Sequence, residues 1–234
     1  MLAVLVNTVA VLVGSLTGIL LKSRLREDLQ NAVMKAIALC TAVIGISSAI
    51  GTSSILCVII CMIVGTVIGE LLKIDYGVEH AGDFIREKLF KGRQTDSRFT
   101  EGFVSASILF CVGSMTVMGC LEAGIHRDYS ILFAKSTLDL ISSMAFGAAM
   151  GYGVTCSAAL VLVLQGGLTL LAGVVGPLLS TEVVTEMSAV GGVMLIGMAL
   201  NMLGAVPERI KVANMLPAIL VPILYFPIAH LLGA

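Results

Sequence analysis

Lys135 and Asp139 stand four positions apart inside an apolar stretch, in the run Lys135-Ser-Thr-Leu-Asp139-Leu-Ile-Ser142-Ser143. Four residues is about one helical turn, so the ammonium and the carboxylate share a face, and Ser142 and Ser143 extend the polar stripe. An ionisable group at membrane depth is costly and normally faces the protein interior or a water-filled path. Two kinds of chemistry fit this stripe. One is an internal ion pair near the outer interface, with Lys135 snorkelling outward. The other is a cation site, because a carboxylate beside hydroxyls suits a hard cation such as sodium.

A second constellation lies in Cys111-Val-Gly113-Ser114-Met115-Thr116-Val-Met-Gly119-Cys-Leu-Glu122. Two glycines flanking the hydroxyls of Ser114 and Thr116 can break a helix and free backbone groups to line a cavity. The same small residues also permit close helix packing. Asn7, Gln165 and Asn201 fall nearer the middle of their apolar runs, where each either bonds to a neighbouring helix or contacts a substrate. Glu70 and Glu122 lie near run ends, where interfacial solvation accounts for them. The 6 cysteines all fall in apolar segments, and Cys57 with Cys61 is too small a set for a metal site. No HExxH pair, P-loop or GxSxG elbow is present, so neither ATP-driven pumping nor enzyme chemistry is expected. No cofactor is expected beyond a coupling sodium ion or proton.

The elements that carry these residues are set by the bilayer. Of 234 residues 58% are hydrophobic and 12% charged, about half the charge of a soluble domain. About 20 apolar residues make one crossing. Eight apolar runs fill the chain, spanning Leu2–Leu21, Ala32–Ile50, Ser54–Leu72, Gly102–Leu121, Ile131–Met150, Val154–Leu178, Met187–Val206 and Met215–Leu232. The expected fold is therefore an all-α polytopic bundle of about eight helices forming a single transmembrane domain. Gly151-Tyr152-Gly153 is short enough that the fifth and sixth runs could also form one kinked span.

Charge placement favours eight crossings. Lys22, Arg24, Arg26, Lys35, Lys73, Arg86, Lys88, Lys91, Arg93, Arg98, Arg209 and Lys211 then share one face, leaving only Arg127 and Lys135 of the 14 basic residues for the other. Lys and Arg collect on the cytoplasmic side, so both termini are expected outside. A net charge of -1 offers no basic stripe for nucleic acid. Residues 73–100 form the one long polar loop. Within it Val78, Ala81, Phe84, Ile85, Leu89 and Phe90 recur at helical spacing, opposed by Arg86, Glu87 and Lys88, which predicts an amphipathic helix on the cytoplasmic surface. Gly14/Gly18, Gly65/Gly69 and Gly147/Gly151 are GxxxG pairs that allow close contact within the monomer or in a homo-oligomer.

Sliding the chain against itself by 152 residues aligns Gly14-Ser-Leu-Thr17 with Gly166-Gly-Leu-Thr169, and Ile44-Gly45 with Ile196-Gly197. Runs one to three then match runs six to eight in the opposite orientation. The first loop is basic and its counterpart near Glu182 and Glu186 is not, as an inverted repeat requires. Such repeats recur in secondary transporters, with the substrate site where they meet.

The chain also resembles the YqgA/YdfK-like family of uncharacterised bacterial membrane proteins, a domain of unknown function. The resemblance runs end to end. It is carried by Asn7-Thr-Val-Ala10 with Gly14 and Leu21-Lys22, Phe110-Cys-Val-Gly113-Ser-Met, Leu121-Glu122-Ala-Gly124 and Lys135-Ser-Thr-Leu-Asp139. Later come Gln165-Gly-Gly167, Ala189-Val-Gly-Gly192, Leu200-Asn201-Met-Leu203 and Lys211-Val-Ala-Asn214-Met-Leu-Pro217. The resemblance implies a bacterial inner-membrane location and a loose link to ion transport. Three functions remain open: a cation-coupled secondary transporter of a small solute or ion, an oligomeric ion channel, and a scaffold acting through residues 78–90.

Overall fold

The computed structural model describes residues 1–22, 27–78, 80, 99–111 and 113–232. Most of the predicted 78–90 amphipathic helix lies outside the described residues. The described chain is carried by α1 Leu2–Lys22, α2 Glu27–Ile50, α3 Ile55–Leu72, α4 Phe99–Cys111, α5 Ser114–Ile125, α6 Ser130–Met150, α7 Tyr152–Leu170, α8 Ala172–Val175, α9 Thr181–Leu203 and α10 Val221–Leu232, with a further helical stretch at residues 74–78. Two 3-10 segments, Gly176–Leu178 and Val212–Ile219, fill the later connections, and no strand occurs among the described residues. The protein is an α-helical membrane bundle.

Six helices are long and apolar enough to cross a bilayer singly: α1, the Asn31–Ile50 part of α2, α3, α6, α7 and α9. The fourth predicted run is divided between α4 and α5, which meet at a bend of 54°. The eighth run is divided too, because Pro217 and Pro222 cannot donate to a regular ladder; a 3-10 segment precedes the short α10. The fifth and sixth runs are separate helices, divided at Gly151, whose φ of 74° favours glycine.

Helix directions follow from which residues meet. A Cβ on Gly14 would lie 2.4 Å from Leu140 O, and one on Gly18 would lie 2.0 Å from Met144 O. Numbering rises together on α1 and α6, so they run parallel. Gly45 abuts Ile196 and Gly192 abuts Ala49, so α2 and α9 run antiparallel. Gly65 meets Ala218 and Gly69 meets Asn214, making α3 antiparallel to the 3-10 segment. Gly153 meets Phe99 while Gly124 meets Thr169, so the bent α4–α5 pair runs parallel to α7 along its length. With α2 and α3 each crossing between them, α1 and α6 are parallel only if α4–α5 also crosses. The bend therefore interrupts a full crossing and does not turn the chain back.

Glycine supplies these approaches. Gly14, Gly18 and Gly147 line the α1–α6 seam, and Gly65 and Gly69 line the contact with the 3-10 segment. The GxxxG pairs are thus used inside the chain. In lipid, where helices gain nothing from leaving water, such backbone-to-backbone packing is a main source of association.

Gly18→Ala should cost at least about 1–3 kcal/mol by overpacking the seam. Gly167→Ala, where an added Cβ meets nothing within 4 Å, should stay within about 0.5 kcal/mol of the parent. Unfolding by SDS titration of the purified protein separates the two, and equal midpoints would refute the seam.

Candidate functional site

The tight seam sets the rotation of α1, and that rotation aims Asn7 at α6. Asn7 lies five residues into α1, Asp139 nine into α6, and Gln165 five from the end of α7. At 1.5 Å per residue these depths are about 8 to 14 Å, just short of the midplane of an apolar layer roughly 30 Å thick.

The three side chains meet. Lys135 Nζ donates to Asp139 Oδ1 at 3.0 Å and approaches Oδ2 at 2.9 Å. Asn7 Nδ2 donates to Asp139 Oδ2 at 2.9 Å and to Gln165 Oε1 at 3.2 Å. Asn7 and Gln165 are wholly buried, Asp139 and Lys135 nearly so. Lys135 therefore does not snorkel; it closes a buried ion pair extended by two amides. One turn beyond Gln165, Thr169 sits beside Cys120. Asn7 Oδ1, Gln165 Nε2 and Thr169 Oγ1 have no nitrogen or oxygen partner. Buried polar groups are seldom left so, since each orphan costs about 1–3 kcal/mol.

The break between α4 and α5 lies near this cluster, for both halves of the broken crossing pack against α6, which carries Lys135 and Asp139. Thr116 Oγ1 donates to Phe110 O at 3.0 Å, satisfying one carbonyl that the break frees. Thr116 is wholly buried and acts there as a local cap. Ser114 opens α5, and its side chain lies outside what the structure describes.

The other predicted residues are placed elsewhere. Ser143 Oγ donates to Leu140 O at 3.0 Å and is pressed against Gly14, so its hydroxyl is part of the seam. Ser142 is half-buried one position before it. Asn201 is remote: Nδ2 donates to Ile210 O at 2.8 Å and Oδ1 accepts from Ile210 N at 2.9 Å, clamping the loop after α9. A shallow crevice lined by Glu101, Ser105, Asn201 and Arg209 opens at that end.

Glu186 lies outside the sequence-expected site, yet it is wholly buried. Its carboxylate accepts from Thr52 Oγ1 at 2.6 Å, Ser53 N at 2.7 Å, Ser53 Oγ at 3.0 Å and Ser54 N at 3.1 Å. A carboxylate from α9 thus satisfies the free N–H groups at the start of α3 and meets the positive end of that helix. The legible signal is a glutamate near an apolar run and a Thr-Ser-Ser turn whose polar groups its local bonds do not exhaust. At the other end of α3, Asn214 Nδ2 donates to Glu70 Oε2, and Lys211 Nζ donates to Glu70 Oε1 at 3.1 Å. Among the described residues no group of three His, Cys, Asp or Glu side chains has metal-binding spacing.

Removing one partner of the buried pair leaves an uncompensated charge. Lys135→Met and Asp139→Leu should each cost about 3–5 kcal/mol, and the double variant markedly less than their sum. A double-mutant cycle by SDS unfolding reads this coupling. Glu186→Ala, which strands the α3 donors, should cost about 3 kcal/mol or more, and Glu186→Gln less.

Comparison with known proteins finds relatives that run the length of the chain. The chain is 26% identical over 233 residues to the uncharacterized membrane protein YdfK of Bacillus subtilis (strain 168), covering 100% of this chain and 99% of the relative. It is 29% identical over 217 residues to the uncharacterized protein YqgA of Escherichia coli (strain K12), covering 92% of each. No solved structure matches the chain. The family described as protein of unknown function (DUF554) matches residues 2–226, and the chain belongs to that family of proteins.

Proposed function

We propose that this membrane protein is a small secondary transporter of the bacterial inner membrane, coupled to sodium or protons and moving a small solute or ion, and that it is not an enzyme. The observation that carries the reading is the buried Lys135–Asp139 pair with its Asn7 and Gln165 extension, beside an interrupted helix. Intramembrane ion pairs of this kind mark ion pathways and proton relays. Interrupted helices bring free backbone ends to the sites of transporters. Lys135 serves as a built-in counter-ion: a coupling cation takes Asp139 only as the ammonium moves away or gives up its proton. Asp139 is the residue on which coupling rests.

The pairing of helices supports an inverted repeat. Under the 152-residue offset α1 corresponds to α7, α2 to α9, and α3 to the segment from Val212. The second and third pairs pack antiparallel near their aligned residues: Gly45 meets Ile196, the counterpart of Ile44, and Gly65 meets Ala218, next to its counterpart Pro217. A two-fold axis in the membrane plane requires this. The same rotation exchanges the α1–α6 pair with the α7–α4/α5 pair, so α6 and the bent crossing become counterparts. Among the described residues Lys22, Lys73, Arg209 and Lys211 lie at the end opposite Met1, which favours a cytoplasmic assignment for that face, with both termini outside.

The test is thermal unfolding of purified protein in sodium, in potassium, across pH and with small metabolites, with Asp139→Asn in parallel. Sodium at about 100 times its dissociation constant stabilises by about 2.7 kcal/mol, which raises the melting temperature. A cation- or pH-dependent rise lost in Asp139→Asn is expected. Identical profiles for the two proteins would overturn the reading.

A further inference from the structure

The hydrogen bonding on the two sides of Asp139 is unequal. Toward the face that carries Met1 and residues 126–129, Asn7 Oδ1, Gln165 Nε2 and Thr169 Oγ1 are buried without a nitrogen or oxygen partner. They are contiguous: Asn7 bonds to Gln165, and Thr169 follows Gln165 by one turn of α7. Hydroxyls elsewhere in the bundle behave otherwise. Thr8 donates to Val4 O, Ser136 to Leu132 O and Ser157 to Val154 O, each one turn back on its own helix. Thr169 has the same option and does not take it; its hydroxyl lies against the Cys120 thiol instead. The remaining orphaned hydroxyls, on Ser105, Ser107 and Thr155, lie on the opposite half of α4 and α7 and do not join this group.

Toward the basic face the chain is closed. Ser143 is bonded to its own helix, and a Cβ on Gly14 would come within 2.1 Å of its hydroxyl. A Cβ on Gly147 would lie 2.4 Å from Ser15 O, and one on Gly18 2.0 Å from Met144 O. Backbones this close leave no room for water or an ion between α1 and α6.

We infer that Thr169, Gln165 and Asn7 form the route by which water and a small cation reach Asp139 from the face carrying Met1, and that the Gly14–Gly18–Gly147 seam seals Asp139 from the basic face. The inference rests on the transporter reading and adds its sidedness. Donors and acceptors in a row that lack a nitrogen or oxygen partner are what a file of water needs, each molecule taking 2–4 polar neighbours. Cargo release on the basic side then requires α1 and α6 to part along the seam.

The test is the reactivity of Thr169→Cys and Ser143→Cys, each in the otherwise native chain, toward a small charged methanethiosulfonate. Vesicles of both orientations are used, and modification is read at peptide level by mass spectrometry so that the native cysteines do not interfere. Thr169→Cys should react from the Met1 face about tenfold or more faster than from the other, a difference of at least about 1.4 kcal/mol in access. Ser143→Cys should react from neither face. Equal reactivity of Thr169→Cys from both faces, or none from either, would overturn the route. Fast reaction of Ser143→Cys would overturn the seal. An unreactive Thr169→Cys alongside a cation shift that still depends on Asp139 would reject this route and spare the transporter reading.

Discussion

The close approach of α1 to α6 governs the rest of the bundle. Two helices whose glycines let backbone touch backbone have little freedom to rotate or slide. Once Gly14, Gly18 and Gly147 are seated, the remaining side chains of both helices have fixed directions. Asn7 faces Asp139 because the seam holds it there, and α7 is drawn in because Asn7 has a second amide hydrogen to place. Elsewhere in the bundle the same device recurs with different partners, at Gly45 and Gly192 between α2 and α9, and at Gly65 and Gly69 beside the 3-10 segment.

Within this frame two carboxylates are buried in contrasting ways. Glu186 receives backbone N–H groups and hydroxyls, all fixed in the turn before α3, and no ammonium contributes to the described bonds. Such a carboxylate is held by dipoles and has no reason to exchange partners. Asp139 is held by a flexible four-carbon ammonium and an amide, next to groups with bonding capacity unused. The first arrangement joins α9 to α3; the second leaves a charge able to change its company. That contrast distinguishes the two carboxylates more firmly than burial, which is similar for both.

Much of the bundle was legible in the sequence because lipid leaves a periodic trace. The first run, read as Leu2–Leu21, is the helix Leu2–Lys22, and the interruption near Gly113 falls where glycine and hydroxyls cluster. The sixth run was read too long because hydropathy continues through Leu171, whereas the helix stops there and Gly176 and Pro177 follow in a 3-10 turn. The seventh was read too short: Glu182 and Glu186 suggested a loop, but α9 begins at Thr181, capped by Ser180. Of the site, Asp139, Asn7 and Gln165 were identifiable as polar groups in apolar runs, but their meeting depends on the rotation the seam imposes. Asn201 and Thr116 show the converse. Their residue types looked the same, and local backbone at Ile210 and Phe110 claimed them.

The long-range polar bonds also impose an order on assembly. Asn7 waits for Asp139, 132 residues later, and for Gln165, 158 residues later. The turn before α3 waits for Glu186, and Glu70 for Lys211 and Asn214, again more than 130 residues on. At a synthesis rate of about 5–20 residues per second, the first three crossings spend roughly 7 to 32 seconds in the bilayer with these groups unpaired. The N-terminal half is therefore inserted well before it is folded. During that interval it depends on the insertion machinery, lipid headgroups or interfacial water to shelter an asparagine and the backbone N–H of Ser53, which its own later sequence will eventually satisfy.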